Sequence, residues 1–149
     1  MKKFKFRFSA VEKIRITQEK EALKKLADAQ KKFYDLVAIK DKYRDEISQS
    51  YERKKTIEKR DFNSSEIYLE ETFVLGNKYR SLINDFSIEK ANKVLRNKMT
   101  EFIECRQKKE MIQKIKEKDK ENFNIQVTKK EQKEVDDINV MRRKMRELF

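Results

Sequence analysis

Apolar residues recur every three or four positions along most of this 149-residue chain. Residues spaced in this way lie on one face of an α-helix, so the pattern predicts long amphipathic helices. Leu23, Val37 and Tyr51 widen the first stripe from the adjacent position. Its mostly apolar members are Ala22, Leu26, Ala29, Phe33, Leu36, Lys40, Tyr43, Ile47, Ser50, Lys54 and Ile57.

The second half of the chain carries a similar stripe. It starts as Tyr68, Thr72, Leu75, Tyr79, Leu82 and Phe86, and it resumes as Ile88, Ala91, Leu95, Lys98, Phe102 and Cys105. Between these two runs, near Ser87, the spacing slips by two positions, which predicts a local change in coiled-coil winding. A last stretch follows as Val127, Glu131, Glu134, Ile138, Met141, Met145 and Leu148.

Polar residues predict where these helices begin and end. Ser9 with Glu12, and Asn63 with Glu66, have the spacing of a capping box. We therefore expect a single coiled-coil domain over residues 1–149, with helix one at about 9–60, a turn at about 61–65 and helix two at about 66–148. Residues 122–128 have a lower helix propensity, which is compatible with a kink or with a local weakening. Gly76 lies inside a strong helical pattern, where glycine indicates a close contact or a slight weakness.

The predicted fold class is all-α, a long antiparallel two-helix coiled-coil hairpin whose C-terminal helix is the longer. At 1.5 Å per residue the helices span about 78 Å and about 127 Å. Folding the chain about Phe62 places the start of helix one beside Ile115. The part of helix two beyond that point keeps an apolar stripe that nothing else in the chain covers, which predicts a partner.

The aromatic residues Phe4, Phe6 and Phe8 alternate with Lys5 and Arg7 ahead of the first cap. We expect them to hold the start of helix one against helix two. The alternative is that they dock into a groove of a partner.

The composition excludes most catalytic chemistry. The chain has no histidine, one glycine and one cysteine, so it lacks the residues for a zinc framework, an internal disulfide or a glycine-rich phosphate loop. Only 37% of its residues are hydrophobic, which is enough for a narrow seam but not for a sizeable core. We expect no catalytic residue, no metal, no cofactor and no small-molecule substrate, and we interpret Cys105 as a small residue of the seam.

The net charge of +12 favours an acidic partner. Basic residues near a helix C-terminus complement the helix dipole, and they also form an electropositive tip. They are Lys129, Lys130, Lys133, Arg142, Arg143, Lys144 and Arg146. The chain starts without the apolar run of a secretory signal and has no membrane-length apolar run, so a cytoplasmic, soluble protein is expected.

Several segments together resemble the flagellar export protein family FliJ. They are residues 4–8 (FKFRF), 11–15 (VEKIR), 21–30 (EALKKLADAQ) and 131–138 (EQKEVDDI). The length, the inequality of the helices and the basic charge agree with that family. The resemblance implies a non-catalytic antiparallel coiled coil, similar to the central stalk of rotary ATPases.

The resemblance also implies partners and a location. A member of this family inserts its terminal end into the hexameric ring of the flagellar export ATPase, binds the cytoplasmic domain of the export gate and escorts export chaperones. It is cytoplasmic and peripherally associated with the inner-membrane export apparatus. Carried onto this sequence, the ATPase-ring contact is Met141, Arg142, Arg143, Lys144, Met145, Arg146 and Leu148, and the export-gate contact is Leu36, Tyr43 and Phe73.

Three alternatives stay open. The first, in the same class, is the matching stalk of a virulence-type secretion system, which sequence alone separates poorly from the flagellar one. A basic coiled coil could instead bind nucleic acid or an anionic membrane, although the aromatic residues at seam spacing argue against stacking on bases. The third alternative is a structural rod that dimerises.

Overall fold

A computed structural model of the chain describes residues 3–60 and 63–149. These residues form two helices, α1 (Ser9–Lys59) and α2 (Ser64–Leu148), of which the second is much the longer. No β-strand occurs in the described residues. The fold class is therefore confirmed as an all-α two-helix hairpin. Asp61 and Phe62, where the turn is predicted, lie outside the described residues.

The two helices begin in different ways. Asn63 caps α2 as expected, because its Oδ1 accepts a hydrogen bond from the backbone N–H of Ser65 at 3.1 Å. At the start of α1, the backbone N–H of Glu12 donates to the carbonyl of Phe8 at 3.0 Å. The carboxylate of Glu12 accepts hydrogen bonds from Lys116 Nζ at 3.0 and 3.1 Å. Glu12 thus joins α1 to α2, a role that the predicted capping box did not include.

Residues 20–60 and 63–103 form one compact unit, called here the turn unit. The helices run antiparallel in it, since Ser50 contacts Glu70 whereas Leu36 contacts Asn84. The α1 stripe is confirmed, because each of its three-and-four positions from Ala22 to Ile57 is buried or half-buried. The predicted widening is wrong for Leu23 and Tyr51, which are 50% and 44% exposed, whereas Val37 is half-buried. The most deeply buried apolar residues of the unit are Ala22, Leu26, Ala29 and Val74.

The stripe predicted for the first part of α2 is wrong. Tyr68, Leu75, Tyr79, Leu82 and Phe86 are all more than half exposed, at 55–69%. The positions that face α1 are instead buried or half-buried, and most of them are polar or small. They are Ile67, Glu70, Val74, Asn77, Ser81, Asn84 and Ile88.

These seam positions follow a regular three-and-four spacing that continues into Ala91, Leu95 and Lys98. The predicted slip near Ser87 is therefore wrong as well. It arose because the apolar residues before Ser87 lie on the outer side of α2, about 180° from the seam at 100° per residue. The predicted stripe therefore combines residues of the outer side of α2 before Ser87 with residues of the seam after it.

Residues 3–19 and 104–149 form the second compact unit, called here the end unit. Glu19 pairs with Lys109, and Glu12 pairs with Lys116, which confirms that α1 starts beside the region of Ile115. The rings of Phe4 and Phe123 lie 5.6 Å apart, and Lys116 Nζ lies 5.9 Å from the centre of the Phe6 ring, so Phe4 and Phe6 contact α2 as predicted. Helix α2 continues without interruption through residues 122–128 and ends at Leu148.

Candidate partner-binding surfaces

The first candidate surface is the exposed segment, which we define as residues 128–149. Every residue in it is exposed, although the backbone is helical as far as Leu148. In the preceding turns α2 still has half-buried positions at Phe123 and Val127. Helix α2 is thus packed against other residues up to Val127 and is exposed around its whole circumference afterwards.

The exposed segment combines an apolar row with positive charge. Ile138, Met141, Met145 and Leu148 follow the three-and-four spacing of one helix face and are 50–80% exposed. Arg142, Arg143, Lys144 and Arg146 surround that row, while Glu147 is the one acid among residues 141–149. The structure therefore brings the predicted ring-contact residues together on about two turns of helix, apolar on one side and cationic around it.

The predicted gate-contact residues do not form one patch. Leu36 and Tyr43 lie one heptad apart in the seam of α1 and are half-buried. Phe73 lies on α2 with its ring 5.5 Å from the guanidinium of Arg53. Arg53 follows Tyr43 by ten residues, which is about 15 Å along a helix. Of the three residues, Phe73 is the most accessible, at 37%.

The second candidate surface is the outer face of α2 in the turn unit. It is the side opposite the seam, and sequence reasoning assigned it to the interior. Each of its large apolar residues is at least half exposed. The outer face comprises Tyr68, Leu69, Leu75, Tyr79, Leu82, Ile83 and Phe86, with Gly76 among them.

The seam beneath the outer face is held by hydrogen bonds around Glu70. Its carboxylate accepts from Arg53 Nε at 2.8 Å, from the second guanidinium nitrogen at 3.2 Å and from the Ser50 hydroxyl at 2.5 Å. The Arg53 guanidinium and then the Ser50 hydroxyl lower the pKa of Glu70, because both stabilise its ionised form. A carboxylate with this many donors fixes the pairing of the two helices at this level.

Two buried asparagines continue this polar seam. Asn77 is fully buried, donates to Glu46 at 3.0 Å and accepts from Arg80 at 3.2 Å. Asn84 donates to the backbone carbonyl of Leu36 at 3.0 Å. Polar residues at seam positions fix the register of a coiled coil at some cost in stability. The spacing of Ile88, Ala91 and Leu95, carried backwards without a slip, would have found both asparagines.

The described residues contain no cluster of acidic or cysteine side chains able to hold a metal ion. In the same part of the chain, no helix combines the length and the apolar character that a membrane crossing demands. The observed features therefore define a class of molecule, a coiled-coil hairpin with two exposed surfaces.

Comparison with known proteins adds a likeness to one family. Residues 84–147, somewhat less than half of the chain, match the family model described as Flagellar FliJ protein. The match includes residues 131–138, which carried part of the resemblance, and most of the exposed segment. Neither the curated proteins nor the solved structures gave a match.

Proposed function

We propose that this chain is a non-catalytic stalk and adaptor of the flagellar type III export apparatus. The exposed segment enters the ring of the export ATPase, promotes assembly of the hexamer and raises its rate of hydrolysis. Other parts of the coiled coil connect the ring to the cytoplasmic domain of the export gate and to export chaperones.

One observation carries this proposal. Residues 128–149 are helical to Leu148 and yet have no residue that is even half-buried. Exposed apolar residues on a helix indicate a surface that a partner covers. The match to the family model extends to residue 147, so it includes most of this segment and supports the proposal.

The ring contact has a simple physical basis. Met141, Met145 and Leu148 would enter apolar contacts within the ring, where methionine adapts to an irregular wall. Arg142, Arg143, Lys144 and Arg146 would pair with acidic side chains around it. Charge of this kind mainly increases the rate of encounter and sets orientation, whereas burial of the apolar row lowers the rate of dissociation.

The proposed gate contact uses Leu36, Tyr43 and Phe73. Phe73 is accessible to a partner without any rearrangement, since it lies at the edge of the seam against Arg53. Leu36 and Tyr43 are half-buried between the helices, so a gate protein would contact only their outer edges. We therefore expect Phe73 to contribute most of the binding at this site.

The proposal is tested by measuring ATP hydrolysis by the export ATPase of the same organism with and without this chain. The informative variant changes Arg142, Arg143, Lys144 and Arg146 to glutamate. A matched control makes the same change in charge at Lys24, Lys25, Lys31 and Lys32, which are exposed on α1. We expect the chain alone to hydrolyse no ATP. The wild type and the control should raise the ATPase rate and the fraction of ATPase that is hexameric. The variant at positions 142, 143, 144 and 146, called here the tip variant, should raise neither.

Two results would contradict the ring contact. If the tip variant stimulated the ATPase as strongly as the wild type does, the tip would not be the contact. If the control lost as much stimulation as the tip variant, the loss would be due to net charge and not to position. A steeply salt-dependent association with DNA or anionic vesicles, without any effect on the ATPase, would favour the alternative of a nucleic-acid or membrane-binding module.

A further inference from the structure

The outer face of α2 is built like a second helix-packing face. Tyr68, Leu75 and Leu82 are spaced by seven residues, as are Leu69 and Ile83 with Gly76 between them. Tyr79 and Phe86 complete a band that is three residues wide and extends over residues 68–86. At 1.5 Å per residue this band is about 28 Å long, a length that suits a docked helix of five turns. The large residues in it are 50–69% exposed.

Gly76 lies at the centre of this band, at the position that Leu69 and Ile83 occupy one heptad away on either side. A Cβ atom added to Gly76 would meet no atom within 4 Å. The backbone does not need glycine either, because the described chain has no glycine with positive φ. A glycine inside a helix destabilises the helix relative to alanine. Nothing in the described residues accounts for that loss of stability, whereas the close approach of another helix would.

The charges along the same face decide what kind of helix can bind. Beyond Phe86 the outer face continues with the exposed residues Lys90, Lys93 and Arg96. Glu89 is the one acid next to them, 3.9 Å from Lys93. With a net charge of +12, two copies of this chain would repel each other, whereas an acidic helix would be attracted.

We infer that the outer face of α2 binds an acidic amphipathic helix of a partner protein, which crosses α2 at Gly76. The apolar side of that helix covers the band from Tyr68 to Phe86. Its acidic residues lie near Lys90, Lys93 and Arg96, so the charges also fix the position of the helix along α2. Gly76 acts as the notch that lets the two backbones approach. Binding of a helix at the outer face does not depend on insertion of the exposed segment into a ring.

The test uses a synthetic peptide of about three heptads with leucine at the a and d positions and mainly glutamate elsewhere. A second peptide has the same composition in scrambled order. Binding to the full chain is measured by fluorescence anisotropy at physiological salt. We expect the amphipathic peptide to bind at least about tenfold more tightly than the scrambled one, which is a clear separation from charge attraction alone.

Variants of the chain then locate the contact. Gly76→Leu fills the notch, and Ala27→Leu is its matched control because Ala27 is exposed on α1, away from the outer face of α2. We expect Gly76→Leu to weaken peptide binding by about tenfold or more and Ala27→Leu to leave it unchanged. Gly76→Ala should raise the Tm of the chain, which shows that the notch is not needed for folding.

Each other result overturns the inference. Equal binding of both peptides would show that only the positive charge of the surface attracts them. If neither peptide bound, the outer face would not be a binding site for an acidic helix. Unchanged or tighter binding by Gly76→Leu would exclude the notch. A dimer in sedimentation that Gly76→Leu dissociates would show that a second copy of the chain occupies this face.

Discussion

Two stretches of α2 in the turn unit pack against α1 with different kinds of side chain. Between residues 88 and 102 the seam is mostly apolar, with Ile88, Ala91, Leu95 and Phe102 half-buried. Between residues 67 and 86 the seam contains Glu70, Asn77 and Asn84, and the large apolar side chains lie on the outside.

The difference shows how one helix can serve two purposes. The apolar stretch stabilises the hairpin by removing side chains from water. In the polar stretch, hydrogen bonds across the seam fix the pairing of α1 with α2, and the apolar surface is left for contacts outside the chain. The same residue types thus support the fold in one region and recognition in the other.

The largest effect on stability is expected when a leucine is truncated in the seam and another is truncated on the outer face for comparison. Leu26 is 6% exposed, so we expect Leu26→Ala to lower the free energy of unfolding by about 2–3 kcal/mol. Leu75 is 68% exposed, and Leu75→Ala should change the free energy by less than about 0.5 kcal/mol. Urea denaturation followed by circular dichroism measures both. Equal losses would mean that the outer face contributes to the fold after all.

A smaller effect is expected from Glu70, on which the polar seam depends. Glu70→Ala removes the acceptor for Arg53 and Ser50, and it should lower the free energy of unfolding by about 1–2 kcal/mol. Glu71→Ala is the matched control, because the side chain of Glu71 is 57% exposed and pairs with Lys54 at the surface. We expect a loss of less than about 0.5 kcal/mol in the control. If Glu71→Ala lowered the free energy of unfolding as much as Glu70→Ala does, the contacts of Glu70 in the seam would stabilise the hairpin no more than a surface ion pair.

The lowered pKa of Glu70 predicts a pH dependence of the same contact. Its ionised form is stabilised in the folded state, so the contribution is complete above the unfolded pKa of about 4.3. Stability should then fall as the pH decreases through the lower pKa of the folded state. Denaturation of wild type and Glu70→Gln at a series of pH values isolates this contribution. Parallel pH profiles for the two proteins would contradict it.

The smallest expected effect concerns Gly76. Because the notch at Gly76 is open and its backbone is ordinary helix, Gly76→Ala should raise the free energy of unfolding by about 0.5–1 kcal/mol. Thermal and urea denaturation measure the change. A decrease would show that Gly76 is needed by the hairpin itself and would weaken the contrast between seam and outer face.

The sequence allowed the fold to be predicted more fully than the surfaces. The helices, the α1 stripe and the cap at Asn63 followed from local patterns, since capping and periodicity depend on neighbouring residues. The faces of α2 before Ser87 did not, because apolar spacing marks any buried or bindable face and cannot distinguish the two. Asn77 and Asn84 were missed for the same reason: a polar residue in a seam interrupts the pattern that locates the seam.

The candidate ring contact is a different case. Met141, Met145 and Leu148 lie exposed, as the predicted uncovered part of helix two requires. Their partner is another molecule, and its side chains are not encoded in this chain. The gate contact depends on the same missing information, and the half-burial of Leu36 and Tyr43 does not decide it.

The most direct test of the proposed stalk is a cross-link between the exposed segment and the export ATPase. The chain has one cysteine, so Cys105→Ala combined with Met145→Cys gives a single reactive site in the tip, and Cys105→Ala with Lys31→Cys gives a matched site on α1. With a short thiol-to-amine cross-linker, we expect an ATPase adduct from the cysteine at position 145 and none from the cysteine at position 31. An adduct from position 31 alone, or equal adducts from both, would contradict insertion of residues 128–149 into the ring.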